Sequence, residues 1–141
     1  MTLTRRRFAL GLGAIGLAPL GLSLAAPLSP AAAAAIQPYS ADAFAKATKG
    51  GGPVFVHVYA PWCLQCRAQE VILNRLMVEP KFTDAAFFRV SYDNQKEVVE
   101  ALNVPRSTLI AYRGPRETGR MSWGVTEDSV VKVLDTAYAR T

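Results

Sequence analysis

The chain has 141 residues, of which 50% are hydrophobic and 19% are charged, and its formal net charge is +5. This length allows one domain of ordinary size, and this composition excludes a wholly disordered chain. Two cysteines and one histidine exclude a disulfide-dense mini-protein and a histidine-rich metal site.

The N-terminal segment, residues 1–35, has the layout of a signal peptide. Three arginines at positions 5–7 precede an uncharged run, residues 8–24, that is rich in glycine and alanine. Residues 4–10, Thr-Arg-Arg-Arg-Phe-Ala-Leu, closely resemble the twin-arginine export motif, which implies export by that route. An ordinary secretory signal is the alternative. A retained membrane anchor is less favoured, because the apolar run is short for a spanning helix.

Small residues at the end of this segment suit a signal peptidase, and we expect cleavage after Ala35, with Ala25 and Ala26 as alternatives. Residues 1–35 contain three of the 16 bases and none of the 11 acids, so the mature chain has a net charge of +2. The charge therefore does not indicate a nucleic-acid partner.

The mature chain, residues 36–141, alternates helix and strand patterns. Ser40 and Thr126 are suited to cap the first and last helices, and Asp93 or Asn94 the third. The predicted elements are a helix over 41–49, a central strand over 54–59, a helix over about 63–77, a strand over 86–92, a helix over 97–102, strands over 108–112 and 117–123, and a helix from 127 to about 138.

This order predicts an α/β domain with a central sheet of about four strands and helices on both faces. The apolar run of residues 54–59 is typical of a strand buried on both faces. Because the first two strands are joined by a crossover, we expect them to be parallel.

The chemistry lies in Cys63-Leu64-Gln65-Cys66, which follows the predicted central strand and begins a helix. A thiol at a helix N-terminus has a lowered pKa because the backbone N–H groups and the helix dipole favour an anion. Cys63 is therefore a plausible thiolate nucleophile. Cys66, one turn further on, is close enough to attack a mixed disulfide formed on Cys63.

Three other interpretations of this pair are weaker. A zinc site needs further soft ligands, but the chain has no other cysteine and its one histidine lies on a predicted strand, so no metal is expected. Haem attachment needs a histidine after Cys66, where Arg67 stands. A purely structural disulfide is the strongest competitor, although so short a loop stabilises little by entropy.

Residues 38–140 resemble the thioredoxin family, most closely at residues 60–67, Ala-Pro-Trp-Cys-Leu-Gln-Cys-Arg. Residues 108–114 are similar to the family's late strand and turn, and Gly124 follows the last strand as it does in the family. The resemblance implies the thioredoxin fold, with Cys63 as the attacking and Cys66 as the resolving cysteine. It also implies that Trp62 contacts the partner protein, and that no cofactor is needed.

Two departures from the family concern the cysteine surroundings. Leu64-Gln65 replaces the usual Gly-Pro and lacks the histidine of strongly oxidising relatives, so a strongly oxidising potential is not expected. His57 stands where thioredoxins commonly bury an acid, and Arg89 stands where a lysine often pairs with that acid. His57 is either a neutral buried residue or a proton relay to Cys66.

A third departure concerns the substrate groove. The family places a cis-proline directly before the threonine of the late strand, and here that position holds Ser107. Pro105 lies two residues earlier. Either a small register shift brings Pro105 into the role, or the groove lacks the proline; both residues are groove candidates.

We therefore expect an exported thioredoxin-like thiol–disulfide oxidoreductase, not membrane-bound when mature, that acts in the periplasm on protein thiol or disulfide clients. A reductant is favoured, and a periplasmic reductant needs a membrane electron donor. The alternatives are a non-catalytic binding module whose cysteines lock the site, and a thiol chaperone dedicated to one client.

Overall fold

The computed structural model describes residues 35–139, and the predicted signal peptide therefore lies outside the described residues. Residues 35–139 form nine elements, all but the first of which correspond to predicted ones. They are β1 (Gln37–Pro38), α1 (Ala41–Lys49), β2 (Pro53–Tyr59), α2 (Leu64–Leu76), β3 (Ala86–Ser91), α3 (Lys96–Leu102), β4 (Thr108–Arg113), β5 (Arg116–Ser122) and α4 (Glu127–Thr136).

The strands form one mixed sheet in the order β1-β3-β2-β4-β5. The apolar strand β2 is central; it is parallel to β3 and antiparallel to β4, and β4 and β5 form a hairpin. The predicted parallel pair is thus confirmed. The prediction of about four strands misses β1, which has two residues and pairs with the edge of β3.

Successive side chains of β2 point to opposite faces of the sheet, so the core has two layers. Phe55 packs with α2 and α4, whereas Val54, Val56 and Val58 lie on the opposite face with α1 and α3. His57 lies on the same side as Phe55, so this alternation directs its side chain toward α2. The helices therefore cover both faces of the sheet, as predicted.

The helix ends agree with the predicted caps at two of three places. The side chains of Ser40 and Thr126 accept backbone N–H groups at the starts of α1 and α4. The predicted cap of α3 by Asp93 or Asn94 is wrong. That helix begins after Gln95, which forms no side-chain cap and instead accepts the N–H of Ser91 and donates to the carbonyl of Tyr39.

Helix α2 carries the buried face that holds the site. Ile72, Leu76 and Met77 are buried, whereas the apolar Val71 is exposed and the polar Gln69 is buried. Among the described helices, none has both the length and the apolar character needed to cross a membrane.

Candidate active site

The two cysteines lie where the central strand meets α2. Residues 60–62 connect β2 to this helix, and Cys63 is its N-cap, with Sγ accepting the backbone N–H of Cys66 at 3.4 Å. Cys66 lies in the first helical turn, and its thiol faces the carbonyl of Val58 at 3.9 Å. Both are free thiols, and only 3% of Cys63 and none of Cys66 is exposed.

The surroundings shift the pKa values of the two thiols in opposite directions. Burial raises the pKa of the Cys63 thiol, but hydrogen bonds from the thiol and backbone of Cys66, with the hydrogen bond and charge of Arg106, outweigh burial and lower it overall. Burial and the neighbouring Cys63 raise the pKa of Cys66 to about 11. Cys63 is therefore the thiol that ionises more readily, and Cys66 is the one that retains its proton.

Ser107, and not Pro105, lies beside the cysteines. Ser107 is fully buried, and its N–H donates to the carbonyl of Val58 at 2.9 Å, the same carbonyl that the Cys66 thiol faces. Its hydroxyl has no hydrogen-bond partner among the described residues. Pro105 is exposed, and its carbonyl accepts the hydroxyl of Thr108 at 2.8 Å. No cis peptide bond occurs in residues 35–139, and Ser107 has a φ of 58°.

His57 is 1% exposed and lies in a hydrogen-bonded network behind the cysteines. The amide nitrogen of Gln69 donates to the carbonyls of Ser107 (3.2 Å) and Gly124 (2.7 Å), so its Oε1 accepts from His57 Nε2, at 3.0 Å. This arrangement fixes the proton on Nε2 and leaves Nδ1 as a buried acceptor without a hydrogen-bond partner among the described residues.

The charge of His57 is suppressed by its environment. Burial lowers the pKa of His57 to about 4, the hydrogen bond with Gln69 opposes this, and the charge of Arg89 lowers it further. Arg89 is the neighbour of His57 across β2 and β3, as its position in the sequence suggested. Its ion-pair partner, however, is Glu70 of α2, and its guanidinium lies 4.6 Å from the centre of the Tyr59 ring.

An exposed apolar rim surrounds the buried thiols. Leu64 is 73% exposed, Trp62 is 56% exposed and Trp123 is 43% exposed. The indole nitrogen of Trp62 donates to Asp93 at 3.0 Å, and Arg106 lies between the two indole rings. The thiols are thus recessed below a surface that suits contact with another protein chain.

Three residues of this centre were not identified from the sequence: Gln69, Glu70 and Arg106. The one available signal was for Gln69, a polar residue three positions after Cys66 on the face of α2 that carries the buried side chains. Nothing in the local sequence marks Glu70 or Arg106, because their partners come from distant segments.

A recessed thiol of lowered pKa at a helix N-terminus, with a second thiol of raised pKa one turn in, is an arrangement suited to thiol–disulfide exchange. The thioredoxin family model matches residues 35–136. The chain therefore belongs to the thioredoxin family, and Cys63 and Cys66 form its C-x-x-C pair. The mixed five-stranded sheet with four helices is the thioredoxin fold.

Two curated thioredoxins are similar to part of the chain. Thioredoxin Asp f 29 of Aspergillus fumigatus is 36% identical over 59 residues, which is 42% of this chain and 54% of that protein. Thioredoxin H2-1 of Oryza sativa subsp. japonica is 31% identical over 84 residues, which is 59% of each. The chain thus spans little more than half the length of these curated relatives.

Among solved structures, the crystal structure of Trxlp from Edwardsiella tarda is similar over nearly its whole length. It shares 37% identity, with a TM-score of 0.68, and the match covers 71% of this chain and 98% of that one.

Proposed function

We propose that the protein reduces disulfides of client proteins by thiol–disulfide exchange. The observation that carries this proposal is the opposed shift of the two thiols: the pKa of Cys63 is lowered, while that of Cys66 is raised to about 11. A nucleophile must be a thiolate at neutral pH, whereas a resolving thiol should stay protonated until the mixed disulfide has formed.

The exchange proceeds in two displacements. The Cys63 thiolate attacks one client sulfur, a Cys63–client disulfide forms, and the other client sulfur leaves and takes up a proton. Cys66 then loses its proton and attacks Cys63 Sγ, which forms the Cys63–Cys66 disulfide and releases the second client thiol. The client gains two electrons and the protein dithiol loses two, so an external dithiol must restore it.

The proposed direction, reduction of the client, is supported by the dipeptide Leu64-Gln65 between the cysteines. No histidine lies between the thiols to stabilise the Cys63 thiolate further. Stabilising that thiolate stabilises the reduced form and makes the couple more oxidising, as in strong oxidants of about −120 mV. A potential nearer the about −270 mV of thioredoxin is therefore expected.

Reduction of insulin disulfides tests this proposal. With dithiothreitol as the electron source, the purified protein is expected to reduce insulin well above the rate of dithiothreitol alone, and equilibration against glutathione is expected to give a potential near about −270 mV. An Arg67→Gln variant, which removes an exposed charge beside the pair, controls for non-specific effects. A potential near about −120 mV would reverse the proposed direction.

We also propose that the protein acts in the periplasm after export by the twin-arginine route, with a membrane donor that supplies its electrons. The support is the sequence of residues 1–35 alone, in which Arg5 and Arg6 are followed by Phe8 and a weakly apolar run.

Exchange of both arginines of that pair for lysine tests the route. The Arg5→Lys, Arg6→Lys double variant is expected to remain in the cytoplasm as unprocessed precursor, because the positive charge persists while the arginine pair is lost. Cell fractionation and immunoblotting measure the processed fraction. Undiminished processed product in the periplasm would indicate the general secretory route instead.

A further inference from the structure

Arg106 is held at the rim of the active site between two aromatic rings. Its guanidinium carbon lies 4.8 Å from the centre of the Trp62 ring and 5.0 Å from that of Trp123. A cation over the face of an indole ring is attracted by the ring's electron density, so both contacts favour this position of the guanidinium. We call this arrangement, Trp62–Arg106–Trp123, the indole–guanidinium stack.

The stack is fixed by hydrogen bonds from three separate segments. Trp62 immediately precedes Cys63 and is tied to Asp93 through its indole nitrogen. Trp123, at a φ of 67°, donates its backbone N–H to the carbonyl of Ser107 at 2.8 Å, and Ser107 directly follows Arg106. The side chain of Arg106 is thus already ordered, so little conformational entropy remains to be lost when it binds an anion.

The charge of Arg106 has no carboxylate partner within residues 35–139. Other cations of the chain, such as Arg75, Arg89 and Arg120, form ion pairs with nearby acids, and Asp93 is engaged by the Trp62 indole. The Nε atom of Arg106 is also buried without a hydrogen-bond partner. Arg106 acts instead on Cys63, since its hydrogen bond and its charge both lower the pKa of that thiol.

The negative charge of Cys63 is lost during the reaction. When Cys63 forms a mixed disulfide, its sulfur becomes neutral, and Arg106 is left as an ordered cation facing the bound client. A carboxylate fits this position well, because a planar guanidinium binds a carboxylate through two parallel hydrogen bonds.

We propose that Arg106, ordered by the indole–guanidinium stack, selects client disulfides that have an aspartate or glutamate next to the attacked cysteine. This inference rests on the proposed exchange reaction and adds the class of client. The carboxylate side chain replaces the thiolate as the counter-charge of Arg106 as the mixed disulfide forms, so it favours the attack itself.

Single-turnover kinetics with the pre-reduced full chain test this selection. The substrates are three disulfide-bonded peptides that differ only in the residue beside the cysteine: glutamate, glutamine or lysine. The expected order of the second-order rate constants is glutamate, glutamine, lysine, with about tenfold between the first and last, which corresponds to about 1.4 kcal/mol. The ratio should shrink between about 50 mM and about 500 mM salt, because screening weakens exposed charge pairs.

Variants of Arg106 separate selection from thiolate activation. In Arg106→Gln, all three rates should fall because the Cys63 thiolate is less stabilised. The glutamate rate should fall most, so the glutamate-to-lysine ratio should approach about one. Arg106→Lys keeps the charge without the planar fork and should give an intermediate ratio. Arg67→Gln removes an equal charge near Cys66 and should leave the ratio unchanged.

Two results would overturn the inference while the exchange reaction stands: equal rates for the glutamate and lysine peptides in the unaltered protein, or a ratio that persists in Arg106→Gln. Because the first of these needs no variant, a folding defect of Arg106→Gln does not decide the outcome. Failure to reduce any of the three peptides would overturn the proposed function, and this inference with it.

Discussion

The Cys63→Ser substitution is expected to lower disulfide-reducing activity by at least about 10³-fold, because a hydroxyl cannot replace the thiolate as nucleophile. Serine at position 66 is expected to leave the first attack intact and to arrest the reaction as a mixed disulfide between Cys63 and the client. Mass spectrometry of the species trapped without reductant measures this difference.

The pKa values give a second measurement of the same roles. With a pKa of about 11, Cys66 is ionised in only about one molecule in 10⁴ at pH 7, whereas the lowered pKa of Cys63 favours its thiolate. Alkylation of the reduced protein at pH 7 should therefore modify Cys63 far faster. Equal rates at the two thiols, or a client trapped by the Cys63→Ser variant, would reverse the assignment.

The residues whose roles depend only on residues close to them in the sequence could be predicted. A strand that leads into Cys63-Leu64-Gln65-Cys66 predicts where the helix begins and which thiol lies at its N-terminus. It also predicts that Trp62 lies beside the pair. Likewise, the continuous apolar run of β2 predicts a strand buried on both faces, because that pattern is local.

The residues that depend on packing between distant segments could not be predicted. Gln69 joins β2 to the loops at Ser107 and Gly124, and Arg106 meets one indole from before α2 and another from after β5. Strand β1 has only two residues, so it lacks a periodic pattern and exists because the edge of β3 offers hydrogen-bond partners.

The position of Ser107 shows what the resemblance alone left open. Pro105 and Ser107 were both candidates for the position that the family's proline occupies. The choice between them depends on the backbone path of residues 103–107 into β4. The structure places Ser107 at a φ of 58°, a value that a proline ring cannot adopt, with its N–H bonded to Val58. The position beside Cys66 is therefore occupied by a residue that keeps its backbone N–H donor.

His57 is expected to make the protein less stable at acid pH. Its pKa is about 4 in the folded protein, against about 6.5 when unfolded, so only the unfolded chain takes up a proton here as the pH falls from 6.5 to 4. The free energy of unfolding should therefore fall by about 3 kcal/mol across this window. Above pH 6.5 and below pH 4 the two states bind equal numbers of protons at this residue, and no further change arises from it.

Urea denaturation at pH 7 and pH 4.5 measures this effect when the unaltered protein is compared with His57→Gln. The glutamine amide can still donate to Gln69 but does not titrate, so this variant should lose about 2.4 kcal/mol less than the unaltered protein between pH 7 and pH 4.5. Other acids titrate in both proteins and cancel in the difference. An equal loss in both would show that His57 is protonated at its ordinary pKa in the folded state.

The same variant decides whether His57 also relays a proton from Cys66. In the resting dithiol the transfer is unfavourable, since the pKa is about 4 for His57 and about 11 for Cys66. Formation of the mixed disulfide removes the Cys63 charge, which is one cause of the high pKa of Cys66, so a transfer to Nδ1 becomes less unfavourable at the step that needs it.

A relay therefore predicts that His57→Gln and His57→Ala slow resolution of the mixed disulfide more than the first attack, and that His57→Asp restores part of the rate. Stopped-flow measurement of the two steps separates them. If resolution is unchanged in the glutamine, alanine and leucine variants while the pH dependence of stability is lost, His57 acts on stability alone.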